Sequence, residues 1–372
     1  MSTRVLVTGG AGFVGSHTVD ALLRAGYEVR IFDSLDEQVH HGHRPAWLAA
    51  EAEFVQGDVR DVDALRQAVA GVDVVVHLAA AVGVGQSMYE IARYMEVNTQ
   101  GTANLLQALL DRGEKVAKLV VASSMSIYGE GQYRCEIHGP IAPPPRSIAQ
   151  LKVREWQMHC SRCGTRLEPV ATVETKPLQC SSIYALGKRD QEEMALLFGR
   201  TYNIPVVALR YFNIYGTRQS LSNPYTGVAA IFASRLMNRR APLIFEDGRQ
   251  LRDFVSVHDV ARANLLAIEK SNADGCALNI GTGHPVTIQQ VADLLASTLD
   301  VRTPAEITGR YRAGDIRHCY ADISLARDLL GYVPQFRLQD GIGELVEWVR
   351  SQSAVDAFEE ASSRLAKFGL TA

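Results

Sequence analysis

The sequence lacks the features of a membrane protein, of a disulfide-rich secreted protein and of a nucleic-acid-binding protein. None of its apolar runs reaches the roughly 18 residues that a membrane-spanning helix needs. Six cysteines among 372 residues are too few for a disulfide framework. The 38 basic and 41 acidic residues leave a net charge of −3, with no basic stripe for the phosphates of a polymer. We therefore expect neither a membrane partner nor a nucleic-acid partner.

The beginning of the chain also lacks the pattern of a secretory signal. The residues MSTRVLVTGG enter an apolar strand and a glycine loop directly. A signal needs a basic region, an apolar core and a small-residue cleavage site. We therefore expect a cytoplasmic protein. In such a reducing compartment, clustered cysteines indicate metal or redox chemistry rather than disulfides.

Strand-like and helix-like segments alternate regularly through the first half of the chain. Five short segments are almost continuous in Val, Ile and Leu, which is typical of strands buried on both faces of a parallel sheet. We predict these strands at 4–8, 28–33, 73–78, 118–122 and 205–210. Longer helical patterns lie between them, at 14–25, 62–70 and 94–112. This alternation predicts an α/β fold with a doubly wound parallel sheet of the Rossmann type.

A glycine-rich loop between the first strand and the first helix predicts dinucleotide binding. The spacing G-x-x-G-x-x-G permits a tight turn and lets the backbone approach a pyrophosphate closely. The helix N-terminus behind the loop supplies free N–H groups and a partial positive charge. The expected contacts are Gly9, Gly12, Phe13, Val14 and Gly15. Taken alone, the same pattern also fits a plain tight turn.

The end of the second strand indicates which dinucleotide is bound. Asp33 follows Gly15 by eighteen positions, where a carboxylate accepts hydrogen bonds from both ribose hydroxyls. The same charge repels a 2′-phosphate, so the sequence predicts NAD rather than NADP. Further expected contacts are Asp58 and Val59 against the adenine ring, and the strand end Leu78, Ala79 and Ala80. A helix cap is the alternative for Asp58, and we interpret His77 as a structural histidine.

A serine and a Tyr–Lys pair form the expected catalytic group. Ser124 stands at the carboxyl end of the strand predicted at 118–122, at the sheet edge where cofactor chemistry takes place. Tyr184 and Lys188 are spaced i and i+4, so they lie on one helix face about one turn apart. A nearby ammonium and the positive nicotinamide of NAD⁺ are expected to lower the tyrosine pKa toward neutrality. Such a phenol suits the role of general base toward an alcohol.

The order of the motifs resembles the extended branch of the short-chain dehydrogenase/reductase superfamily, that is, the NAD-dependent epimerases and dehydratases. The motifs are TGGAGFVG, HLAA, SSMSIYG, YALGK, RYFNIYG, RDFVSVHDV and NIGTG. The resemblance implies Ser124, Tyr184 and Lys188 as the catalytic triad, with Asn98 near the cofactor. It also implies a nucleotide-diphosphate sugar as substrate. The residues implied for substrate binding are Ser124, Ser126, Asn213, Arg252 and Arg312, of which the last three fall at positions where relatives hold the diphosphate.

The chain divides into three predicted parts. Residues 1–212 form the NAD-binding domain, and an insertion rich in proline and cysteine occupies residues 131–178. Residues 213–350 form mainly a smaller substrate-binding lobe, with segments that return to the first domain. Residues 351–372 form an amphipathic C-terminal helix. The resemblance also implies a homodimer, because members of the family commonly pair through two helices into a four-helix bundle.

The residues after Ser124 favour epimerisation over elimination. Sugar dehydratases and decarboxylases of this family carry an acid there, whereas this chain has Met125 and Ser126. Epimerisation needs only the removal and return of one hydride, here at C4 of the sugar. The resemblance therefore implies a nucleotide-sugar 4-epimerase. A 4,6-dehydratase and a non-enzymatic NAD-binding scaffold are the alternatives.

The insertion contains two knuckles of the form C-x-x-[CH]-G. Cys135 and His138 stand in the first and Cys160 and Cys163 in the second, and these ligand types predict a closed tetrahedral zinc site. Cys180 is a reserve ligand, and free thiols in a loop are the alternative. The knuckles, with the runs SNPYTGVAAIF and LIFEDGRQLRDFV, resemble the dTDP-L-rhamnose 4-epimerases within the family. That resemblance implies dTDP-6-deoxy-L-talose as product, with a UDP-hexose 4-epimerase as the alternative.

Overall fold

The computed structural model describes residues 2–221, 227–312, 314–352 and 358–371. Within these ranges the strands are β1 Arg4–Thr8, β2 Glu28–Asp33, β3 Glu53–Gln56, β4 Val74–His77, β5 Lys118–Ser124, β6 Gln132–Cys135, β7 Gly139–Ile141, β8 Glu168–Val170, β9 Val206–Tyr211, β10 Asn213–Tyr215, β11 Leu243–Ile244, β12 Leu251–Ser256, β13 Ala277–Ile280, β14 Pro285–Thr287, β15 Glu306–Ile307 and β16 His318–Cys319. The α-helices are α1 Phe13–Arg24, α2 Glu37–His40, α3 Val62–Ala68, α4 Val84–Ser87, α5 Ile91–Tyr94, α6 Gly101–Asp111, α7 Ile148–Lys152, α8 Ile183–Tyr202, α9 Val228–Met237, α10 Val257–Glu269, α11 Ile288–Leu299, α12 Ser324–Leu330, α13 Leu338–Ser351 and α14 Phe358–Lys367. A π-helical segment spans Met95–Gln100, and a 3₁₀ segment spans Met125–Tyr128.

Seven parallel strands form the central sheet, in the order β13-β9-β5-β4-β1-β2-β3. Along β1, Val5 and Val7 belong to the apolar core on one face, whereas Leu6 belongs to the core on the other face. Successive side chains of a strand point to opposite faces. Both faces of this sheet are therefore covered, as in parallel sheets with helices on each side. The predicted doubly wound α/β fold is confirmed.

The carboxyl end of β5 lies further along the chain than predicted. The predicted strands 4–8 and 28–33 coincide with β1 and β2, but β5 continues past residue 122 to Ser124. Ser124 pairs in register with Tyr211 of β9. The serine therefore closes β5 as part of the sheet, as predicted.

The helix predicted at 94–112 is interrupted. α5 ends at Tyr94, the π-helical segment follows, and α6 begins at Gly101. A Cβ atom at Gly101 would lie 2.6 Å from the Val59 side chain, so the helix passes unusually close to the loop after β3. Single π-helical turns of this kind are frequent at functional sites. Here the segment carries Asn98.

After β9 the chain leaves the central sheet and forms a second group of strands and helices, called here the second lobe. Its strands β10, β12, β14 and β16 form a small mixed sheet. The helices α9, α11 and α13 pack around a separate apolar core. From within this part of the chain, β13 returns to pair with β9 in the central sheet.

The insertion is more ordered than the predicted loop. β6 pairs with β7 and β8 to form a three-stranded antiparallel sheet. A small apolar core consists of Tyr133, Cys135, Met158, Cys160 and Leu167. Strand pairing and this apolar core therefore order the insertion. These side chains are far apart in sequence, and only the pairing of the strands brings them together.

Two predicted features extend beyond the described residues. The stretch SNPYT, residues 222–226, lies outside them, and so do residues 353–357 of the predicted C-terminal helix. The described part of that C-terminal segment contains α14. Nowhere in the described ranges does a helix combine the length and apolar character that membrane crossing requires.

Candidate active site

A cleft of about 420 Å³ lies between the carboxyl ends of the central strands and the second lobe. The predicted site residues that line it are Gly9, Gly12, Phe13, Val14, Gly15, Asp33, Asp58, Val59, Leu78, Ala79, Ala80, Ser124, Tyr184, Lys188 and Asn213. Ligands bind at this edge of open parallel sheets. The predicted residues that do not line the cleft are Asn98, Ser126, Arg252 and Arg312, with the cysteine knuckles.

The glycine loop is shaped to receive a pyrophosphate. Gly9 has a φ of +70°, and a Cβ atom there would lie 2.8 Å from the backbone nitrogen of Ala79. A Cβ atom at Gly15 would lie 2.0 Å from the carbonyl oxygen of Gly9. Gly12, which precedes α1, offers no side-chain cap to the first N–H groups of the helix. These N–H groups are thus available to an anion, as NAD binding requires.

Asp33 has a structural contact that the sequence analysis missed. One carboxylate oxygen accepts the backbone N–H of Ala11 at 2.9 Å, and the other accepts the N–H of Leu35 at 2.9 Å. The carboxylate is buried, yet it lines the cleft. Each oxygen has a further lone pair, so the group can also accept hydrogen bonds from ribose hydroxyls. Asp33 therefore fixes the glycine loop and lines the cleft.

Asp58 is not a helix cap. Asp61 takes that role for α3, because its carboxylate accepts the N–H groups of Asp63 and Ala64. The Asp58 carboxylate instead pairs with the guanidinium of Arg60, at 3.0 and 2.6 Å, and this pair lowers the pKa of Asp58. Arg60 also lines the cleft, and the sequence analysis missed it. It was missed because no sequence motif identifies an arginine that pairs with a carboxylate two residues before it.

Two buried polar residues support the cleft wall from behind. The amide group of Asn98 accepts the N–H of Ala81 at 2.8 Å and donates to the Ala81 carbonyl at 3.1 Å. His77 contacts the hydroxyls of Thr8 and Thr102 at 2.7 and 3.0 Å, and burial lowers its pKa to about 3. His77 is therefore a neutral structural residue, in agreement with its interpretation from sequence.

Ser124, Tyr184 and Lys188 meet at the end of β5. The Lys188 ammonium donates to the carbonyl of Ala122 at 3.0 Å, which joins α8 to β5. The Ser124 hydroxyl oxygen accepts the hydroxyl of Ser126 at 2.9 Å and its backbone N–H at 3.2 Å. With these two donors on its oxygen, Ser124 has its own proton left to donate into the cleft.

The pKa of Tyr184 departs from the sequence-based expectation. Burial raises this pKa, whereas the interaction of the phenol with Ser124 acts in the opposite direction. Burial also lowers the pKa of Lys188 to about 7. In the protein without NAD, the expected lowering of the tyrosine pKa by the lysine is thus outweighed, because desolvation disfavours both the phenolate and the ammonium. The positive nicotinamide of NAD⁺ is the remaining group that is expected to lower the pKa of Tyr184.

The implied substrate-binding residues occupy different environments. The Oδ1 atom of Asn213 is buried without a hydrogen-bond partner, in the wall of the cleft. The guanidinium of Arg312 stacks on Phe245 at 4.3 Å, its Nε atom has no partner, and burial lowers its pKa. Arg252 donates to backbone carbonyls, among them that of Ile316 at 2.6 Å. The structure therefore leaves polar capacity on Asn213 and Arg312.

The four knuckle residues come together in the insertion. The Sγ atoms of Cys135 and Cys160 each lie 3.5 Å from Nδ1 of His138. The Sγ atom of Cys163 lies 3.6 Å from that of Cys135. All four ligand atoms are within 4.8 Å of one another. Cys180 instead contacts the carbonyl of Ile127, so the reserve ligand is not part of this cluster.

A comparison with known proteins agrees with this geometry. The profile of the NAD dependent epimerase/dehydratase family matches residues 5–148 and 163–281. The chain belongs to the NAD-dependent epimerase/dehydratase family. The matched segments hold the glycine loop and all three residues of the Ser124 group.

Individual members of the family match almost the entire chain. A dTDP-L-rhamnose 4-epimerase of Burkholderia thailandensis is 33% identical over 94% of this chain and 95% of its own length. The structure of a UDP-glucose 4-epimerase of Thermotoga maritima with UDP-glucose has a TM-score of 0.76 and 31% identity, covering 94% of this chain and 99% of that one. A Thermus thermophilus UDP-glucose 4-epimerase in complex with NAD has a TM-score of 0.74 and 30% identity, covering 94% and 100%.

These similarities confirm three predictions. The chain has the predicted family membership, it is an enzyme of the nucleotide-sugar 4-epimerase kind, and NAD is the cofactor of its family. The glycine cradle and Asp33 in this structure fit that cofactor.

Proposed function

We propose that the protein inverts the configuration at C4 of a nucleotide-diphosphate sugar, converting dTDP-L-rhamnose to dTDP-6-deoxy-L-talose. One observation carries the proposal: Ser124, Tyr184 and Lys188 line the same cleft as the glycine loop. An alcohol of a substrate in that cleft lies against a base and a proton donor at once. A non-enzymatic scaffold has no need of such a group.

Each catalytic side chain has a defined task. Tyr184 removes the proton from the C4 hydroxyl, and Ser124 donates a hydrogen bond to the C4 oxygen. Lys188, held by the Ala122 carbonyl, lies one helical turn from Tyr184 on α8, and its pKa of about 7 leaves it partly protonated near neutral pH. Bound NAD supplies hydride acceptance and return, and its positive nicotinamide favours the phenolate. The 4-keto sugar turns in the cleft before Tyr184 returns the proton.

The environment of Ser124 disfavours a 4,6-dehydratase. Met125 is buried, and the hydroxyl of Ser126 is already committed to Ser124. Neither supplies a carboxyl group to eliminate water from the neighbouring carbons. The acidic residues that line the described cleft are Asp33, Asp36 and Asp58, all of which belong to β2 or follow β2 and β3.

Two sugars compete for the role of natural substrate. The knuckles and the Burkholderia thailandensis relative support dTDP-L-rhamnose. The likeness to the Thermotoga maritima UDP-glucose 4-epimerase supports a UDP-hexose as second candidate. The buried carbonyl group of Asn213 and the orphan Nε of Arg312 suit hydroxyl and phosphate groups, which both nucleotides share.

Incubation with a panel of dTDP-, UDP- and GDP-sugars tests the proposal. Proton NMR reads the configuration at C4 through the couplings of its hydrogen. We expect inversion of dTDP-L-rhamnose without added NAD, at a kcat/KM above that for UDP-glucose. A higher kcat/KM for UDP-glucose makes the second candidate the substrate. No inversion of any sugar contradicts the epimerase.

We also propose a structural zinc ion in the insertion, bound by Cys135, His138, Cys160 and Cys163. Tetrahedral zinc with ordinary bond lengths separates two sulfurs by about 3.8 Å and a sulfur from a nitrogen by about 3.6 Å. The observed separations of 3.6 and 3.5 Å fit this shell. Three thiolates and an imidazole leave no position for a substrate, so the metal stabilises the insertion.

The remaining parts of the proposal concern assembly and location. Helices α6 and α8 contact each other and expose Leu110, Leu186 and Leu197 at 40, 39 and 57%. A homodimer through these helices covers that apolar surface. Free cysteines in a metal cluster suit a reducing compartment, which supports a cytoplasmic location.

A further inference from the structure

Arg146, in the insertion, is buried although its guanidinium carries a permanent charge; it is 8% exposed. Its Nη2 atom donates to the carbonyl oxygen of Asp315 at 2.9 Å and lies 2.8 Å from a carboxylate oxygen of Glu246. Its Nη1 atom donates to the carbonyl of Trp156 at 3.4 Å. One side chain thus joins the insertion to two parts of the second lobe.

The segment 314–318, which contains Asp315, also forms hydrogen bonds with a residue that follows β5. Glu130 follows β5, and its carboxylate accepts the backbone N–H of Arg317 at 2.8 Å. The Arg317 guanidinium is fully buried and donates to Asp247 at 2.6 Å. The Nε atom of Arg146 lies 3.8 Å from Glu130. The segment is therefore fixed by a buried network of charges.

Arg252, a predicted ligand of the substrate diphosphate, takes its orientation from this segment. Its guanidinium donates to the carbonyls of Ile316 at 2.6 Å and Arg317 at 3.2 Å. It also lies 3.6 Å from the carboxylate of Asp315. A shift of the segment moves these three partners, whereas a fourth, the carbonyl of Leu251 at 2.9 Å, stays with β12, so the guanidinium is redirected.

We infer that Arg146 is a positioning residue for the diphosphate of the nucleotide sugar. It fixes the segment 314–318, and through it the direction of Arg252. The inference rests on the proposed function, because the diphosphate belongs to the proposed substrate. It assigns the insertion a role in substrate affinity. The contacts of Arg146 described above include none of Ser124, Tyr184 and Lys188, so the chemical step is expected to be preserved.

The variants Arg146→Lys and Arg146→Met test this inference. A lysine keeps the positive charge opposite Glu246, but its single nitrogen cannot replace two separate guanidinium nitrogens. We expect Arg146→Lys to raise KM for the nucleotide sugar about tenfold, with kcat within about twofold of wild type. Arg146→Met is expected to raise KM further. The matched control is Arg134→Met, since Arg134 is exposed on β6 in the same insertion.

Calorimetric titration with dTDP and UDP gives an independent readout. The Kd of the diphosphate is expected to rise with KM in both variants, while bound NAD and metal content are unchanged. If Arg146→Met fails to fold, Arg146→Lys decides alone. An unchanged KM and Kd in Arg146→Lys, or a loss confined to kcat, overturns the inference. If wild-type protein epimerises no sugar, the proposed function fails; if it does and the variants match it, only the inference fails.

Discussion

The ammonium of Lys188 donates to the backbone carbonyl of Ala122, two residues before Ser124 on β5, at 3.0 Å. The bond holds the catalytic face of α8 against the end of the strand. It also places a cation in a buried position, where desolvation lowers its pKa to about 7. The buried lysine therefore destabilises the folded protein, but it places a positive charge at the catalytic site.

Replacing Lys188 by methionine removes this buried cation, so we expect a more stable and much less active protein. The lysine pKa is about 7 in the folded protein and about 10.4 in an unfolded chain. Between these values only the unfolded chain holds the proton, so wild-type stability rises with pH across that window. The gain in Tm from Lys188→Met is thus largest at or below pH 7 and shrinks toward pH 10.

Calorimetry near pH 6 and near pH 9, without added cofactor, measures this dependence. The exposed Lys152, in the insertion, gives a control variant, Lys152→Met, with no such dependence expected. A Tm of Lys188→Met below that of wild type near pH 6 would contradict the burial argument.

Tyr184→Phe removes the phenol hydroxyl and leaves the ring in place. We expect kcat to fall by a factor of about 100 or more, because the proton of the sugar has no acceptor. Bound NAD, released on denaturation and quantified by absorbance, is expected to match wild type. Tyr202→Phe, at the exposed end of the same helix, is the control and is expected to retain activity. Near-normal turnover of Tyr184→Phe refutes the assigned base.

Asp33 is expected to make the protein select NAD over NADP. Its carboxylate is ordered by the N–H groups of Ala11 and Leu35, so it cannot easily turn away from a 2′-phosphate. Equilibrium titration of cofactor-free protein with both dinucleotides measures the preference, which we expect to exceed about tenfold. Equal affinities for NAD and NADP disprove this role.

The purified protein is expected to contain about one zinc per chain, because the four ligand atoms form a closed shell. Elemental analysis of reduced protein measures the content. The double variant Cys160→Ala, Cys163→Ala is expected to lose the metal, whereas Cys276→Ala, outside the cluster, retains it. Metal content that is zero in wild type, or unchanged in the double variant, excludes this site.

Local patterns were enough to predict five of the seven central strands, but β3 and β13 were not among them. Buried parallel strands are rich in apolar residues, and β1 and β2 have their predicted bounds. Glycine positions that tolerate no Cβ, such as Gly15, mark the loop directly. Residues that end neighbouring strands share one sheet edge, which brings Ser124 to the cofactor loop.

Sequence patterns could not predict the contacts between distant parts of the chain. The hydrogen bond from Arg146 to Asp315 joins residues 169 positions apart, and no periodicity reports such a pair. The insertion sheet depends on short strands that are weak signals individually, with the three-residue β7 and β8 as examples. The raised pKa of Tyr184 depends on desolvation by the surrounding fold, which a spacing of i and i+4 does not reveal.

The most direct test of the account is the fate of hydrogen at C4. Wild-type protein is incubated in ordinary water with dTDP-L-rhamnose carrying deuterium at C4, and the product is analysed by NMR and mass spectrometry. The account predicts dTDP-6-deoxy-L-talose that retains its deuterium at C4, since the hydride passes to bound NAD and returns from it while Tyr184 transfers only the hydroxyl proton. Inverted product that has lost the deuterium to solvent would contradict the account, because the carbon would then have exchanged a proton.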